Sequence, residues 1–447
     1  MTSNNIFLQQ HSLHSNIGAF CHDLAKELFP ICRSLTGDGV RKTLSILHQY
    51  LPNLTIHEVP SGTQAFDWVV PEEWIIRDAY IADESGQRIV DFKEHNLHIV
   101  GYSEPIDKWI NLEELNEHLY SLPDQPNAIP YITSYYKRRW GFCVSHEQRQ
   151  TLISKHDGGL YHVYIDSELK QGVLNYGELT IPGQIKQEVF LSTYICHPSM
   201  ANNELSGPVV TTALAQWLMS LSNRKYTYRI VFIPETIGSI VYLSRNIDYM
   251  KHHVVAGFNI TCIGDERCYS YLPSRSGNTL SDSAALHVLK HIAPEFKQYT
   301  WLDRGSDERQ YCAPSVDLPI ATIMRSKYGQ YPEYHTSLDD LNLVTAIGLE
   351  GGYNAIRQAI EVIENNIRPK ITVFGEPQLG KRGLYPTLST KESGKEVRAM
   401  MDMISYCDGQ LTLLEIADKI GEPAWKLAEI LKPLIENGLI ETQDINI

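Results

Sequence analysis

The sequence predicts an α/β fold: a doubly wound, mostly parallel sheet with a small β-rich domain inserted near its start and a helix-turn-helix unit at its end. Three observations carry this reading. From residue 161 onward, apolar strand-like runs alternate with helical patterns, the βαβ rhythm of a parallel sheet. Between 54 and 160 the texture is instead short alternating segments punctuated by Gly, Pro and Asn. After a Pro- and Gly-containing stretch at 366–390, residues 395–440 read helix, turn, helix, turn, helix. The expected domains are 1–53 with 161–368, the insertion 54–160, and a C-terminal unit 385–447.

Taken in order, residues 17–28 and 39–51 carry apolar side chains at helical spacing. The loop between them, Cys32 to Gly39, is either a segment with a specific task or a plain helix–helix turn. Segments 55–59, 74–81, 88–92 and 97–100 alternate as short strands do. The aromatics Tyr131, Tyr135, Tyr136, Trp140 and Phe142 that follow read mostly as core, with a ligand-facing wall left open. Four strands stand out beyond 161: 188–196, 228–233, 254–263 and 318–324. Each runs into polar residues: His197, Pro234-Glu235, Gly264-Asp265, and Arg325 leading to Tyr334-His335. Open α/β sheets bind ligands at the carboxyl ends of their strands. After the first of these strands, Pro198 stops the ladder. Ser206 is then the expected N-cap of a helix over 209–221, with Pro208 near its first position.

A chain of 447 residues exceeds one ordinary core, so two or three domains are expected. Its net charge of −14 argues against nonspecific binding to nucleic acid or anionic membranes. The first residues show no basic or apolar leader, and no run approaches 18 apolar residues. Eight cysteines, none in a CxxC pair, read as reduced thiols of a cytoplasmic protein. Residues 391–447 hold six Lys and Arg against eleven Asp and Glu, net −5. The second helix of the unit carries Lys426 and Lys432, with Glu422 just ahead of it and Glu429 within it. DNA reading needs phosphate neutralisation, so a protein-packing role is expected.

His197 and His335, with carboxylates on intervening loops, suit a zinc centre, which takes neutral imidazoles, a carboxylate and an open position. Glu235, following a buried strand, suits the separate general base such a centre requires. Several longer motifs then bring a resemblance. They are Arg33-Ser-Leu-Thr-Gly-Asp-Gly-Val-Arg41, Phe66-Asp-Trp68 with Pro71-Glu-Glu-Trp74, and Ile129-Pro-Tyr-Ile-Thr-Ser-Tyr-Tyr136 with Trp140-Gly-Phe142. To these add Cys196-His-Pro-Ser-Met-Ala-Asn202, Pro234-Glu-Thr-Ile-Gly-Ser239, Gly305-Ser-Asp-Glu-Arg309 and Tyr334-His-Thr-Ser337. Over nearly its whole length the chain resembles the bacterial aminopeptidase-like domain proteins. These combine a zinc-exopeptidase fold, an inserted small domain and a C-terminal winged helix. The resemblance implies His197 as the first metal ligand, Glu235 as general base and His335 as the last ligand. It also implies that Asp307, Glu308, Arg309 and Tyr334 line the pocket; an internal salt-bridge cluster is the alternative for the first three.

The sequence departs from the pattern where the wider zinc aminopeptidase clan places a metal-binding Asp. Asn203 stands there, a neutral and weaker ligand, and Glu204 is the substitute carboxylate. Thr236 and Thr261 stand where the clan has the carboxylates that separate two metals. One zinc at most is therefore expected. Asp339-Asp340 would orient His335 from behind or cap a helix. The leading expectation is a metal-dependent hydrolase that cleaves an amide bond of a small amine-bearing or short peptide-like substrate. The alternative is a metal-free binding or scaffold protein that keeps the fold. A third reading, a transcription regulator sensing a small molecule, is opposed by the acidic C-terminal unit. No nucleic-acid or membrane partner is expected, and self-association stays open.

Overall fold

The computed structural model describes residues 16–154, 158–384 and 391–443. Among these residues the largest sheet has eight strands. In chain order they are β1 (Thr55–Pro60), β2 (Val173–Ile181), β3 (Glu188–Tyr194), β4 (Thr227–Ile233), β5 (Val254–Asn259), β6 (Ser270–Leu272), β7 (Lys297–Gln298) and β8 (Ile320–Met324). Their spatial order is β1-β2-β4-β3-β5-β8-β6-β7. The inner strands β4, β3, β5 and β8 are parallel, while β2 and β6 join them antiparallel on either side.

Helices α1 (Ile17–Leu28), α2 (Asp38–Tyr50), α3 (Ser206–Ser220), α5 (Leu280–Ile292) and α6 (Ala346–Glu364) cover one face, and α4 (Ile237–His253) covers the other. The period-two alternation of a strand accounts for both layers. Val189, Leu191, Ile230 and Phe232 enter the first core, whereas Phe190, Val231 and Ile233 enter the second. β3 is buried at every position, as a central parallel strand must be.

The insertion begins and ends later than the sequence suggests. β1 pairs with β2 in the main sheet, so 55–59 belongs to the α/β domain and not to the insertion that its alternating pattern suggests. Conversely, Tyr161–Lys170 lies in a separate four-stranded sheet with Glu73–Ala82, Arg88–Asp91 and Ile106–Ile110. The neck is at Ser61 and Gly172, where the Ser61 N–H donates to the Gly172 carbonyl at 2.9 Å. Alternation within a strand shows that it has two faces and says nothing about which sheet it joins.

The C-terminal unit consists of α7 (Lys391–Ser405), α8 (Leu413–Ile420), α9 (Ala424–Glu436) and the antiparallel pair Arg368–Ile371 with Ile440–Gln443. Arg368–Ile371 falls inside the stretch read as linker, so the unit starts well before residue 385. It is docked on the α/β domain. His287 of α5 is fully buried. Its Nδ1 lies 2.8 Å from Asp418 Oδ1 on α8, and its Nε2 accepts the Ala424 N–H of α9 at 2.8 Å. All eight cysteines are free. Among the described residues, no helix is long and apolar enough to cross a membrane.

Candidate metal centre

The carboxyl edge of the parallel strands gathers the three residues expected to carry the chemistry. β3 leads through Ile195 and Cys196 to His197, and β4 leads through Pro234 to Glu235. Glu235 Oε2 lies 3.7 Å from His197 Nε2, and the Glu235 N–H donates to Cys196 Sγ at 3.2 Å. His335, on the loop after β8, lies flat on Tyr334 with ring centres 3.9 Å apart. The two imidazole centres are 5.7 Å apart, tilted by 42°. Thr236 and His335 adopt φ of +66° and +58°, conformations that cost non-glycine residues energy and cluster at working sites.

Each imidazole is kept neutral. Burial, then the Arg33 charge, lowers His197 to about 3. Burial, then His197, lowers His335 to about 3. For Glu235 burial dominates and the neighbouring Asp307 carboxylate adds to it, so its carboxyl is raised, while Arg309 pulls it back.

The far side of His197 is held by a carboxylate. Glu204 Oε2 lies 2.8 Å from His197 Nδ1, and Glu204 Oε1 lies 3.2 Å from Arg33 Nε. Arg33 Nε also donates to the His197 carbonyl at 2.9 Å, and its Nη1 to the Leu28 carbonyl at 2.8 Å. Both side chains of the Arg33–Glu204 pair are fully buried. The 32–39 loop thus places a buried guanidinium against His197 and Glu204. Its shape depends on Gly37 (φ +95°), where a Cβ would lie 2.3 Å from the Trp74 carbonyl oxygen.

Asn203 faces another network. Its Oδ1 accepts from Tyr194 OH at 3.0 Å, and that hydroxyl is 2.6 Å from Thr261 Oγ1. Its Nδ2 is buried with no hydrogen-bond partner. A half-turn of this amide would exchange the two atoms and leave Oδ1 as the open end. Thr236 Oγ1 accepts from Arg309 Nη2 at 2.5 Å. Both threonines at the expected second-metal positions are thus engaged within the protein. Among the described residues, Cys196, His197 and Glu204 form the group whose ligand atoms lie within 4.8 Å of one another. In that group Glu204 Oε2 faces His197 Nδ1, Glu204 Oε1 lies in the Arg33 ion pair but is buried with no hydrogen-bond partner, and burial raises the Cys196 thiol well above its usual range.

The fit of zinc to His197 and His335 can be tested on the ring separation. An ion about 2.1 Å from one nitrogen of each ring would put the ring centres roughly 5–6 Å apart at near-tetrahedral angles. The observed 5.7 Å agrees.

The four residues expected to line the pocket divide. Glu308 is internal: Oε1 accepts from Gly305 N, Ser306 N and Tyr328 OH, and Oε2 from Asn259 Nδ2. Asp307 Oδ1 accepts from Thr236 N at 2.7 Å and Ser239 Oγ at 2.8 Å, fixing the turn that carries Glu235. Asp307 Oδ2 and Arg309 Nε remain buried without partners. Tyr334 supports His335. Asp339 does not orient His335; it accepts from Asn202 N, Asn203 N and Tyr331 OH. It thereby caps a π-helical turn, Ala201–Leu205, that runs directly into α3. Ser206 consequently lies within the helical stretch, not at its cap, and its Oγ donates to the Asn202 carbonyl.

Tyr131 belongs to the site, although nothing in the run of aromatics over 131–142 singles it out from its neighbours. Its ring meets His197 and His335 edge-on, at 5.4 Å and 5.1 Å between centres. Its N–H donates to the His335 carbonyl at 2.8 Å, and Pro130 forms a β-bridge with Thr336. The inserted domain therefore covers the centre. Tyr131 OH is 2.7 Å from Tyr135 OH, and Tyr135 lines a groove of about 270 Å³ with Val70, Glu72, Tyr102 and Arg138.

Comparison with known proteins agrees with this architecture. A profile described as a domain of unknown function, DUF4910, matches residues 22–366, and a winged helix-turn-helix profile matches residues 367–442. A Clostridium acetobutylicum protein is 43% identical over 413 residues, 91% of this chain and 92% of its own. It is provisionally named a polysaccharide biosynthesis protein with an aminopeptidase-like domain. A crystal structure from the same organism, provisionally described as a peptidase, superposes with a TM-score of 0.89 at 40% identity. The match covers 95% of this chain and 96% of that one. A zinc aminopeptidase from Bacillus subtilis shares the fold, with a TM-score of 0.55 at 12% identity over 78% of this chain and 95% of its own.

Proposed function

For a chain that belongs to the DUF4910 family, with its aminopeptidase-like domain and C-terminal winged helix-turn-helix, we propose a hydrolase that holds one zinc ion between His197 and His335. The observation that carries this is the pair of neutral imidazoles 5.7 Å apart at the sheet's carboxyl edge, with Glu235 Oε2 3.7 Å from His197 Nε2. Zinc, when bound, supplies Lewis-acid polarisation of a carbonyl and a more acidic water. Glu235 accepts the proton of the attacking water and returns it to the departing nitrogen. Asp307 fixes the turn that carries Glu235, and Tyr334 and Tyr131 hold the imidazoles in place and shield them from bulk water. Asp307 Oδ2 and Arg309 Nε are the open polar atoms for the substrate's own charged groups. The substrate class is a small amide that bears a free amine. Zinc binding tests this proposal: by competition with a chromophoric chelator, His197→Ala and His335→Ala should each abolish the binding seen in the parent. Unchanged affinity in either variant would remove that histidine from the centre.

A second reading, a binding protein without metal, draws on the engagement of Asn203, Thr236 and Thr261 inside the protein. It predicts no zinc in the parent and the same small molecules bound uncleaved.

The winged domain has a packing role in this proposal. Helix-turn-helix units read DNA with the first turn of the second helix. Here that turn is α9's, and His287 occupies its Ala424 N–H. Together with a charge of −5 over 391–447, this predicts no salt-sensitive binding to duplex DNA in a fluorescence-anisotropy titration. Micromolar binding that falls steeply with salt would refute the packing role.

A further inference from the structure

We infer that Arg33 is the centre's built-in cation: a positioning residue that claims Glu204, reserves His197 Nε2 for a single metal ion and denies that carboxylate to any other. The inference rests on the proposed zinc site and concerns what this chain's own residues do around it. Four observations support it. Arg33 and Glu204 are both fully buried and 3.2 Å apart. Arg33 Nε donates its one hydrogen to the carbonyl of His197 itself, so the guanidinium is anchored at His197 and acts on Glu204 Oε1, which accepts no hydrogen bond, through charge alone. Glu204 Oε2 takes the other ring nitrogen, Nδ1, which leaves Nε2 turned to Glu235. Finally, Arg33 sits on a loop whose Gly37 backbone is feasible only for glycine, so the side chain is delivered by a fixed scaffold.

The charge logic follows. A guanidinium is not deprotonated in proteins, and a buried one needs a carboxylate partner. Glu204 is that partner. A metal ion that recruited Glu204 would leave Arg33 uncompensated and beside a second cation. Glu204 could otherwise be the substitute ligand for the Asp that Asn203 replaces. With Arg33 present, it serves instead as the hydrogen-bonded carboxylate behind a metal-bound histidine, a role whose loss commonly weakens metal binding 10–100-fold.

The test uses the full-length chain, with zinc affinity from chelator competition and zinc number from equilibrium dialysis. Glu204→Gln leaves Arg33 unpaired behind His197, and zinc affinity should fall 10–100-fold. Adding Arg33→Met to that variant removes the stranded charge, so affinity should rise above that of Glu204→Gln while staying below the parent value, because the carboxylate behind His197 is still missing. If Glu204 were itself a ligand, the double variant would stay as weak as Glu204→Gln, and the inference would be overturned. Arg33→Met alone frees Glu204, so the chain should gain a zinc ion that the double variant lacks. No gain in a folded Arg33→Met protein would also count against the inference. If that variant does not fold, the comparison of Glu204→Gln with the double variant decides. If the parent binds no zinc, the proposed function fails separately; a gain in Arg33→Met would then still support the inference, and no gain would overturn it.

Discussion

Glu235→Gln should lower turnover of a cleavable amide by roughly 10²–10⁴-fold, the usual share of general-base catalysis. The substitution keeps shape and one acceptor oxygen while removing the ability to take a proton. It should not harm the fold. Glu235 sits near Asp307, and burial together with that neighbour already disfavours its charged form. Replacing it with a neutral amide relieves repulsion. Zinc content should likewise be unchanged, because His197 and His335 hold the ion. A library of aminoacyl amides, dipeptides and N-acyl amino acids supplies the assay. If the parent cleaves one of these and Glu235→Gln cleaves it equally fast, Glu235 is not the base.

Asp339→Ala should be the most damaging substitution for stability near the centre. Asp339 is fully buried and accepts from Asn202 N at 2.6 Å, Asn203 N at 2.9 Å and Tyr331 OH at 2.9 Å. Alanine leaves three buried donors unsatisfied, each costing about 1–3 kcal/mol, so a loss of about 3 kcal/mol or more is expected in urea unfolding. The same donors hold the Ala201–Leu205 turn from which Glu204 reaches His197. An unfolding midpoint equal to the parent's would show that the turn does not depend on Asp339.

The site was legible where its geometry follows from strand ends. His197 and Glu235 terminate buried parallel strands, and their spacing along the chain matters little once the strands are neighbours in the sheet. His335 was found because its loop follows another such strand. What could not be read was set by contacts between distant parts of the chain. Arg33 meets the His197 carbonyl across 164 positions, and nothing local to either residue announces that meeting. Without Arg33, Glu204 looks like a free carboxylate beside a metal ligand. Tyr131 failed to stand out for the same reason: in a run of aromatics, only the docking of the insertion decides which ring covers the centre. The π-helical start of α3 displaced the expected cap at Ser206, because Asp339 supplies the capping carboxylate from another loop.

The central claim, one zinc ion between two neutral imidazoles, is tested most directly by elemental analysis of the full-length protein purified without chelators. The account predicts one zinc per chain. Two tightly bound metals per chain would contradict it, because Thr236 and Thr261 are engaged inside the protein and Glu204 is held by Arg33. Protein that contains no zinc, and takes none up when zinc is added, would contradict it equally.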